Sequence, residues 1–79
     1  MNPTILTLGP YRFFFFSREE SRPHIHVISS DGEAKFGLEP VISLANSSGL
    51  SERELRKLQK IVERERAKFR KAWKNFFGM

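Results

Sequence analysis

The chain has 79 residues, a formal net charge of +5 and no cysteine. This length fits a single domain, and the absence of cysteine excludes disulfides and thiolate metal sites. The longest apolar run, Phe13–Phe16, is far shorter than the ~20 residues that cross a bilayer, and the N-terminal residues lack the pattern of a secretory signal. We therefore expect one small soluble cytoplasmic domain over residues 1–79, with no membrane segment.

The first half of the chain has the pattern of short strands separated by turn residues. We predict strands over residues 4–8, 11–17, 24–30 and 33–39, with a polar loop over 17–23. Residues 41–45 fit either a fifth strand or a single helical turn. Residues 46–49 are interpreted as a linker within the domain.

The Asp31-Gly32 pair predicts a hairpin with a type I′ turn between the third and fourth strands. With this pair as the two-residue loop, Ile28 faces Lys35 and His26 faces Gly37. Alternation of side chains then gives one apolar face, with Ile25, Val27, Ala34, Phe36 and Leu38. The opposite face collects His24, His26, Ile28, Glu33, Lys35 and Glu39.

The Phe13–Phe16 run sends two phenylalanines to each face of its strand. A strand that is apolar on both faces is buried on both sides, and here the N-terminal segment or residues 41–48 could cover the second face. Alternatively, the run forms an apolar patch for a partner chain or a second copy, or a surface on which flipped bases stack.

The second half predicts one long helix over residues 51–77. Ser51 and Glu54 have the spacing of a capping box, and Leu50 and Leu55 that of a hydrophobic staple. An apolar stripe at helical spacing follows, made of Leu55, Leu58, Val62, Phe69, Trp73 and Phe76.

Two residues of this segment depart from the helical pattern. Glu65 interrupts the apolar stripe, and Gly78 is expected to end the helix. The predicted fold is α+β: a small antiparallel sheet of four to five strands, over residues 4–45, with one long C-terminal helix packed on one face.

The positive charge lies in the predicted helix. Residues 1–50 carry four basic and five acidic side chains, whereas residues 51–79 carry ten basic and four acidic ones. A basic segment of this kind indicates contact with nucleic acid, an acidic protein or a membrane surface. A solvated helix face rich in Lys and Arg gives the same pattern.

His24 and His26 are the only histidines in the chain. On an open polar face they could act as general acid and base, serve as two metal ligands, or be solvent-facing strand residues with no function. A zinc site needs three or four protein ligands, and no nearby carboxylate has the spacing of a known metal motif. We predict no metal site and no cofactor.

RNA cleavage needs little protein machinery, because the 2′-hydroxyl of the RNA is the nucleophile. The protein supplies a base, an acid and cations that stabilise the charged phosphorane. We therefore predict a catalytic set of His24, His26, Lys35, Arg12 and Glu33, in which the carboxylate orients an imidazole or acts as base.

The chain resembles the small bacterial family known as domain of unknown function 4160. The resemblance rests on the aromatic strand from Tyr11 to Ser17, the Pro23-His24-Ile25-His26-Val27 motif, the segment from Gly32 to Phe36, and a Leu-rich helix that ends near Trp73. Members of this family are often encoded beside a small partner, and some are described as toxins of type II toxin–antitoxin pairs.

The resemblance implies a toxin-like protein with a small antitoxin-like partner. Our first hypothesis is a metal-independent endoribonuclease that uses the His-x-His pair. The alternative is a non-catalytic module that binds nucleic acid or an acidic protein through the basic helix and the aromatic sheet. A metal-dependent enzyme is a third hypothesis, and a homo-oligomer could form through the Phe-rich strand.

Overall fold

The computed structural model describes residues 3–16 and 22–78. Five strands are followed by two helices: β1 (Thr4–Leu8), β2 (Tyr11–Phe14), β3 (His24–Ser29), β4 (Gly32–Gly37), β5 (Ser43–Ser48), α1 (Glu52–Arg64) and α2 (Arg66–Phe77). The strands form one antiparallel sheet in the order β1-β2-β3-β4-β5. The α+β class is confirmed. Most of the predicted 17–23 loop lies outside the described residues.

The core lies between one face of the sheet and the two helices. Phe13, Phe15 and the predicted apolar face of the hairpin are buried against Leu58, Ile61, Val62, Phe69 and Trp73. The Phe13 ring stacks on Phe69, with centroids 5.6 Å apart, and Phe15 meets Trp73 edge-on at 5.2 Å. This packing confirms the predicted direction of the hairpin's apolar face.

The start of the helical segment has the predicted caps. Ser51 accepts a hydrogen bond from the Glu54 N–H at 3.1 Å, while the Glu54 carboxylate accepts one from the Ser51 N–H at 3.2 Å. These bonds satisfy N–H groups that have no partner within the helix. Gly78 ends α2 in the left-handed conformation, with φ of 70°, as predicted.

The prediction of one long helix is wrong, because the segment breaks at Glu65. This residue has φ −97° and ψ 11°, and it ends α1 and precedes α2. A continuous helix would direct Glu65 along the apolar stripe towards the sheet. The break instead leaves its carboxylate near the surface, 3.1 Å from Arg64 Nε, which avoids burying a charge.

A partly buried hydrogen bond attaches α1 to the sheet. The hydroxyl of buried Tyr11 donates to Glu54 Oε2 at 3.1 Å. Burial, followed by the nearby Glu54 carboxylate, raises the pKa of Tyr11. The backbone N–H of Ser51, with smaller help from the Tyr11 hydroxyl, lowers the pKa of Glu54. One carboxylate thus serves both the helix cap and the sheet.

The hairpin register differs from the prediction by two residues. His26 pairs with Lys35, and Ser29 pairs with Gly32, so the two-residue loop is Ser30-Asp31. Neither loop residue has a positive φ, so the predicted type I′ turn is wrong. Apart from His24, whose ring packs beside Trp73 of α2, and Glu39, which lies outside β4, the faces keep their predicted members, because side chains repeat every two residues along a strand.

Close contact with β5 explains why Gly32 belongs to β4 rather than to the turn. A Cβ atom at Gly32 would overlap the carbonyl oxygen of Ser48 and lie 2.8 Å from Gly49 Cα. The strand can approach only a residue that has no side chain. Local turn preference therefore gives way to strand packing at this position.

Residues 43–48 form the fifth strand, which resolves the open alternative and corrects the predicted linker at 46–49. Lys35 pairs with Asn46 and Phe36 with Leu44, and the register shifts between these pairs. Gly49, with φ of 84°, follows the strand. The shift is a β-bulge, a feature that redirects side chains on the bulged strand.

Candidate functional site

The sheet face opposite the helices carries most of the predicted site residues. This outer face is formed by Arg12, Phe14, Phe16, His26, Ile28, Glu33, Lys35, Asn46 and Ser48. Cross-strand pairing arranges them in two adjacent rows. One row runs from Phe14 through His26 and Lys35 to Asn46, and the other runs from Arg12 through Ile28 and Glu33 to Ser48.

Aromatic rings form one end of the outer face. The His26 ring stacks on Phe14 at 5.5 Å between centroids and meets Phe16 edge-on at 4.3 Å. The guanidinium carbon of Arg12 lies 4.6 Å from the centroid of Phe14, within cation–π distance. These neighbours bury Phe14, whereas Phe16 remains 40% exposed. The Phe16 ring is therefore partly exposed beside His26.

His24 does not lie on the open face, which corrects the prediction for this residue. Its side chain is only 2% exposed, and its ring lies 5.2 Å from Trp73 of α2 and 5.1 Å from His26. Nδ1 is 2.7 Å from the carbonyl oxygen of Arg22, which can only accept, so Nδ1 donates. His24 is the first residue of β3, where it pairs with Gly37.

A pocket of about 200 Å³ opens on the outer face between the aromatic rings and β5. Phe16 and His26 line one side of the pocket, β4 contributes Glu33 and Lys35, and β5 contributes Asn46, Ser47 and Ser48. The structure thus brings His26, Lys35 and Glu33 to one pocket. Arg12 lies in the row of Glu33, two strands away.

Sequence reasoning missed the β5 residues of this pocket. Asn46 and Ser48 lie in a segment that was interpreted as a linker, and only its pairing with β4 places them beside Lys35 and Glu33. A run of small polar residues gives no periodic signal. The sequence carried no sign of their role.

The second face of the Phe13–Phe16 run is covered neither by the N-terminal segment nor by β5. The N-terminal segment forms β1, which pairs with β2 within the sheet, and residues 43–48 form β5. Because β2 is paired on both sides, a second copy cannot add to its edge. Of the four phenylalanines, Phe16 is the one whose side chain is exposed.

The basic residues of the helices lie on a different side of the molecule. Exposed cations along α1 and α2 form the helical surface, with Arg53, Arg56, Lys57, Lys60, Arg64, Arg66, Lys68, Lys71 and Lys74. Arg70 differs from these residues, because its Nε donates to the carbonyl oxygen of Leu38 at 2.9 Å. Arg70 therefore holds α2 against the segment that follows β4.

Two further observations concern the described part of the chain. Within residues 3–16 and 22–78, no cluster of three or more His, Asp or Glu side chains is placed to hold a metal ion. No helix in these ranges is long and apolar enough to cross a membrane.

Comparison with known proteins identifies the family but not an activity. No curated protein and no solved structure matches the chain significantly. The family model described as "Domain of unknown function (DUF4160)" matches residues 11–74, a range that contains β2 to β5, α1 and most of α2. Because this match spans most of the 79 residues, the chain belongs to the DUF4160 family.

Proposed function

We propose that the outer face binds single-stranded RNA, and that the protein acts on RNA as the toxin-like component of a bacterial toxin–antitoxin pair. The observation that carries this proposal is the side-by-side placement of Phe16, His26 and Lys35 on one open sheet face. Single-stranded RNA is recognised by stacking its bases on aromatic rings while cations contact the phosphates.

The shape of the outer face favours a single strand over a duplex. Double-stranded RNA hides its bases in the stack and is recognised by shape and backbone contacts. An aromatic ring that is 40% exposed contributes little to such contacts, but it offers a stacking surface to an unpaired base. Lys35, directly across from His26, and Arg12, in the adjacent row, supply positive charge for the phosphates.

The helical surface has a supporting role in this proposal. Its charge attracts RNA from a distance in a salt-dependent manner. In the alternative function, a non-catalytic binding module, the helical surface would make the main contact with nucleic acid or an acidic protein. Substitutions on the outer face should weaken RNA binding in the first function, whereas substitutions on the helical surface should weaken binding in the alternative.

RNA cleavage is a second candidate, favoured by the direct pairing of His26 with Lys35. In this reaction the His26 imidazole takes the proton of the 2′-hydroxyl, whose oxygen attacks the adjacent phosphorus. The P–O5′ bond breaks, a 2′,3′-cyclic phosphate forms, and the departing 5′ oxygen takes a proton from the Lys35 ammonium. Arg12 stabilises the phosphorane charge. His24 takes no part, because its ring is buried against Trp73.

Binding is tested by fluorescence anisotropy with a labelled single-stranded RNA of mixed sequence. We expect Phe16→Ala to weaken binding by about 1–3 kcal/mol, the usual contribution of one stacked base, which corresponds to roughly 5- to 150-fold. Phe76→Ala is the matched control, because Phe76 is 44% exposed on α2. A duplex of the same sequence should bind more weakly than the single strand.

Two results would contradict this proposal. One is equal loss of affinity in the Phe16 and Phe76 variants. The other is unchanged affinity in Phe16→Ala together with strong loss in Lys60→Met or Lys71→Met, which would assign binding to the helical surface. Circular dichroism of each variant confirms that it is folded.

Cleavage and toxicity are tested with His26→Ala. We expect the wild type to cut the labelled RNA in the presence of a chelator and to arrest growth when expressed in bacteria, and His26→Ala to do neither while still binding RNA. Cleavage that survives in His26→Ala would remove His26 as the base. If the wild type leaves RNA intact and growth unchanged, binding alone would remain. An antitoxin-like partner would act by covering the outer face.

A further inference from the structure

We propose that the pocket on the outer face accepts a guanine base and selects it over the other three bases. This inference rests on the proposed function, since it names the base that the RNA-binding face prefers. The pocket has a volume of about 200 Å³, enough for one base, and one of its walls is the partly exposed ring of Phe16.

The floor of the pocket has a fixed hydrogen-bonding polarity. Glu33 and Lys35 are two residues apart on β4 and point to the same face, about 7 Å from each other along the strand. A carboxylate such as that of Glu33 accepts hydrogen bonds, and an ammonium such as that of Lys35 donates them. One end of the pocket therefore accepts and the other end donates.

Asn46 of β5 adds to the donating end. It pairs with Lys35 across the sheet, and its Oδ1 accepts a hydrogen bond from the Ser47 N–H at 2.9 Å. This bond uses one of the two acceptor positions of the side-chain carbonyl, and the NH₂ group of the same amide supplies two donors. Ser48, the partner of Glu33, has a hydroxyl that can rotate to donate or accept.

Guanine has the matching polarity along its edge. Its N1–H and N2–H groups are adjacent donors that suit the two oxygens of one carboxylate, and the neighbouring O6 and N7 are acceptors that suit a lysine or an amide. Cytosine has its donor and acceptors in the same order along its edge, but it offers the carboxylate only its N4 amino group. Adenine places its amino group between two acceptors, and uracil places its N–H between two carbonyls.

The inference is tested with four labelled oligouridines of equal length that carry G, A, C or inosine at one central position, called the GU, AU, CU and inosine-U strands after that base. A single purine in a run of uridines cannot form a stable duplex, so each strand stays unpaired. We expect the wild-type protein to bind the GU strand about tenfold more tightly than the AU or CU strand, a typical discrimination for one bidentate base contact. Inosine lacks the 2-amino group and keeps N1–H, O6 and N7. Its strand should therefore bind less tightly than the GU strand.

Glu33→Gln separates recognition from general attraction. Removing a negative charge strengthens the binding of every RNA, so the readout is the ratio of GU to CU affinity. We expect this ratio to fall to about one in Glu33→Gln. The control Glu52→Gln makes the same charge change at an exposed position of α1 and should leave the ratio unchanged.

The outcomes distinguish this inference from the function on which it rests. Equal affinity of the wild type for all four strands, with loss on Phe16→Ala, would overturn guanine selection and leave RNA binding intact. A preference for GU that persists in Glu33→Gln would also overturn it. Failure to bind any of the strands would overturn RNA binding itself. Because Glu33 is exposed, its variant is expected to fold normally.

Discussion

Replacement of Gly32 by alanine tests how closely β5 approaches β4. The added methyl group would overlap the Ser48 carbonyl oxygen and lie 2.8 and 2.9 Å from two backbone atoms of Gly49. These neighbours are main-chain atoms, which cannot rotate away as a side chain can. The edge strand β5 must therefore move outwards, which weakens its pairing with β4 and disturbs the pocket wall that Asn46 and Ser48 provide.

The expected cost follows from the kind of clash. Inserting a methyl group into a packed region costs about 1–3 kcal/mol, and immovable backbone neighbours place Gly32→Ala at the upper end of this range. The loss of chain entropy in the unfolded state returns about 0.4–1 kcal/mol, so a net loss of about 2 kcal/mol is expected. For a domain of this size, the melting temperature should fall by roughly 10–15 °C.

Gly37→Ala provides the matched control on the same strand. Its added methyl group would lie 3.4 Å from the flexible Ser43 Oγ and 3.8 Å from the Ser43 carbonyl oxygen. We expect its stability to stay within about 0.5 kcal/mol of the wild type. Thermal and urea denaturation followed by circular dichroism compare both variants. Equal stability of Gly32→Ala and Gly37→Ala would refute the close approach of β5 to Gly32.

The remaining predictions concern the histidines and two ionisable groups. His24→Ala should lower the free energy of unfolding by about 2 kcal/mol or more, because it leaves a cavity beside Trp73. His26→Ala should lower it by less than about 1 kcal/mol. Urea denaturation compares the two variants, and equal losses of stability would contradict the different burial of the two histidines. Because the pKa of Glu54 is lowered in the folded chain, its contribution to stability is present above its unfolded pKa of about 4.3 and is lost as the pH falls through the folded value. The stability of Glu54→Gln should therefore fall less at acid pH than that of the wild type. An equal fall in the melting temperatures of the two proteins at acid pH would contradict this. The pKa of Tyr11, the single tyrosine, is raised. Its contribution to stability is therefore complete below the unfolded pKa of about 10 and is lost at higher pH. Absorbance titration should show that Tyr11 ionises at higher pH in the native protein than in urea.

The different placement of the two histidines changes how their variants are interpreted. A double His24→Ala/His26→Ala variant would lose activity through unfolding as well as through the site, because His24 packs in the interior. The single His26 variant is therefore the informative one. From the sequence, both residues fall on the same face by alternation, and only the contact of His24 with Trp73 of α2 separates them.

Features that depend on neighbouring residues could be predicted from the sequence. The Ser51–Glu54 capping box, the stop at Gly78 and the apolar face of the hairpin follow from local spacing and from the two-residue repeat of a strand. The turn at Asp31-Gly32 was misplaced because its preference for a type I′ loop competes with the approach of β5 to Gly32. That approach involves residues sixteen positions away in the chain, at Ser48.

The sequence by itself determined the α+β class, the apolar face of the sheet and the amphipathic, basic helical segment, because each depends on periodicity within a single element. Only the tertiary structure decided the break at Glu65, the burial of His24 and the pocket that β5 completes with Asn46 and Ser48. These features depend on contacts between elements that are far apart in the chain, and local patterns of side chains do not encode such contacts.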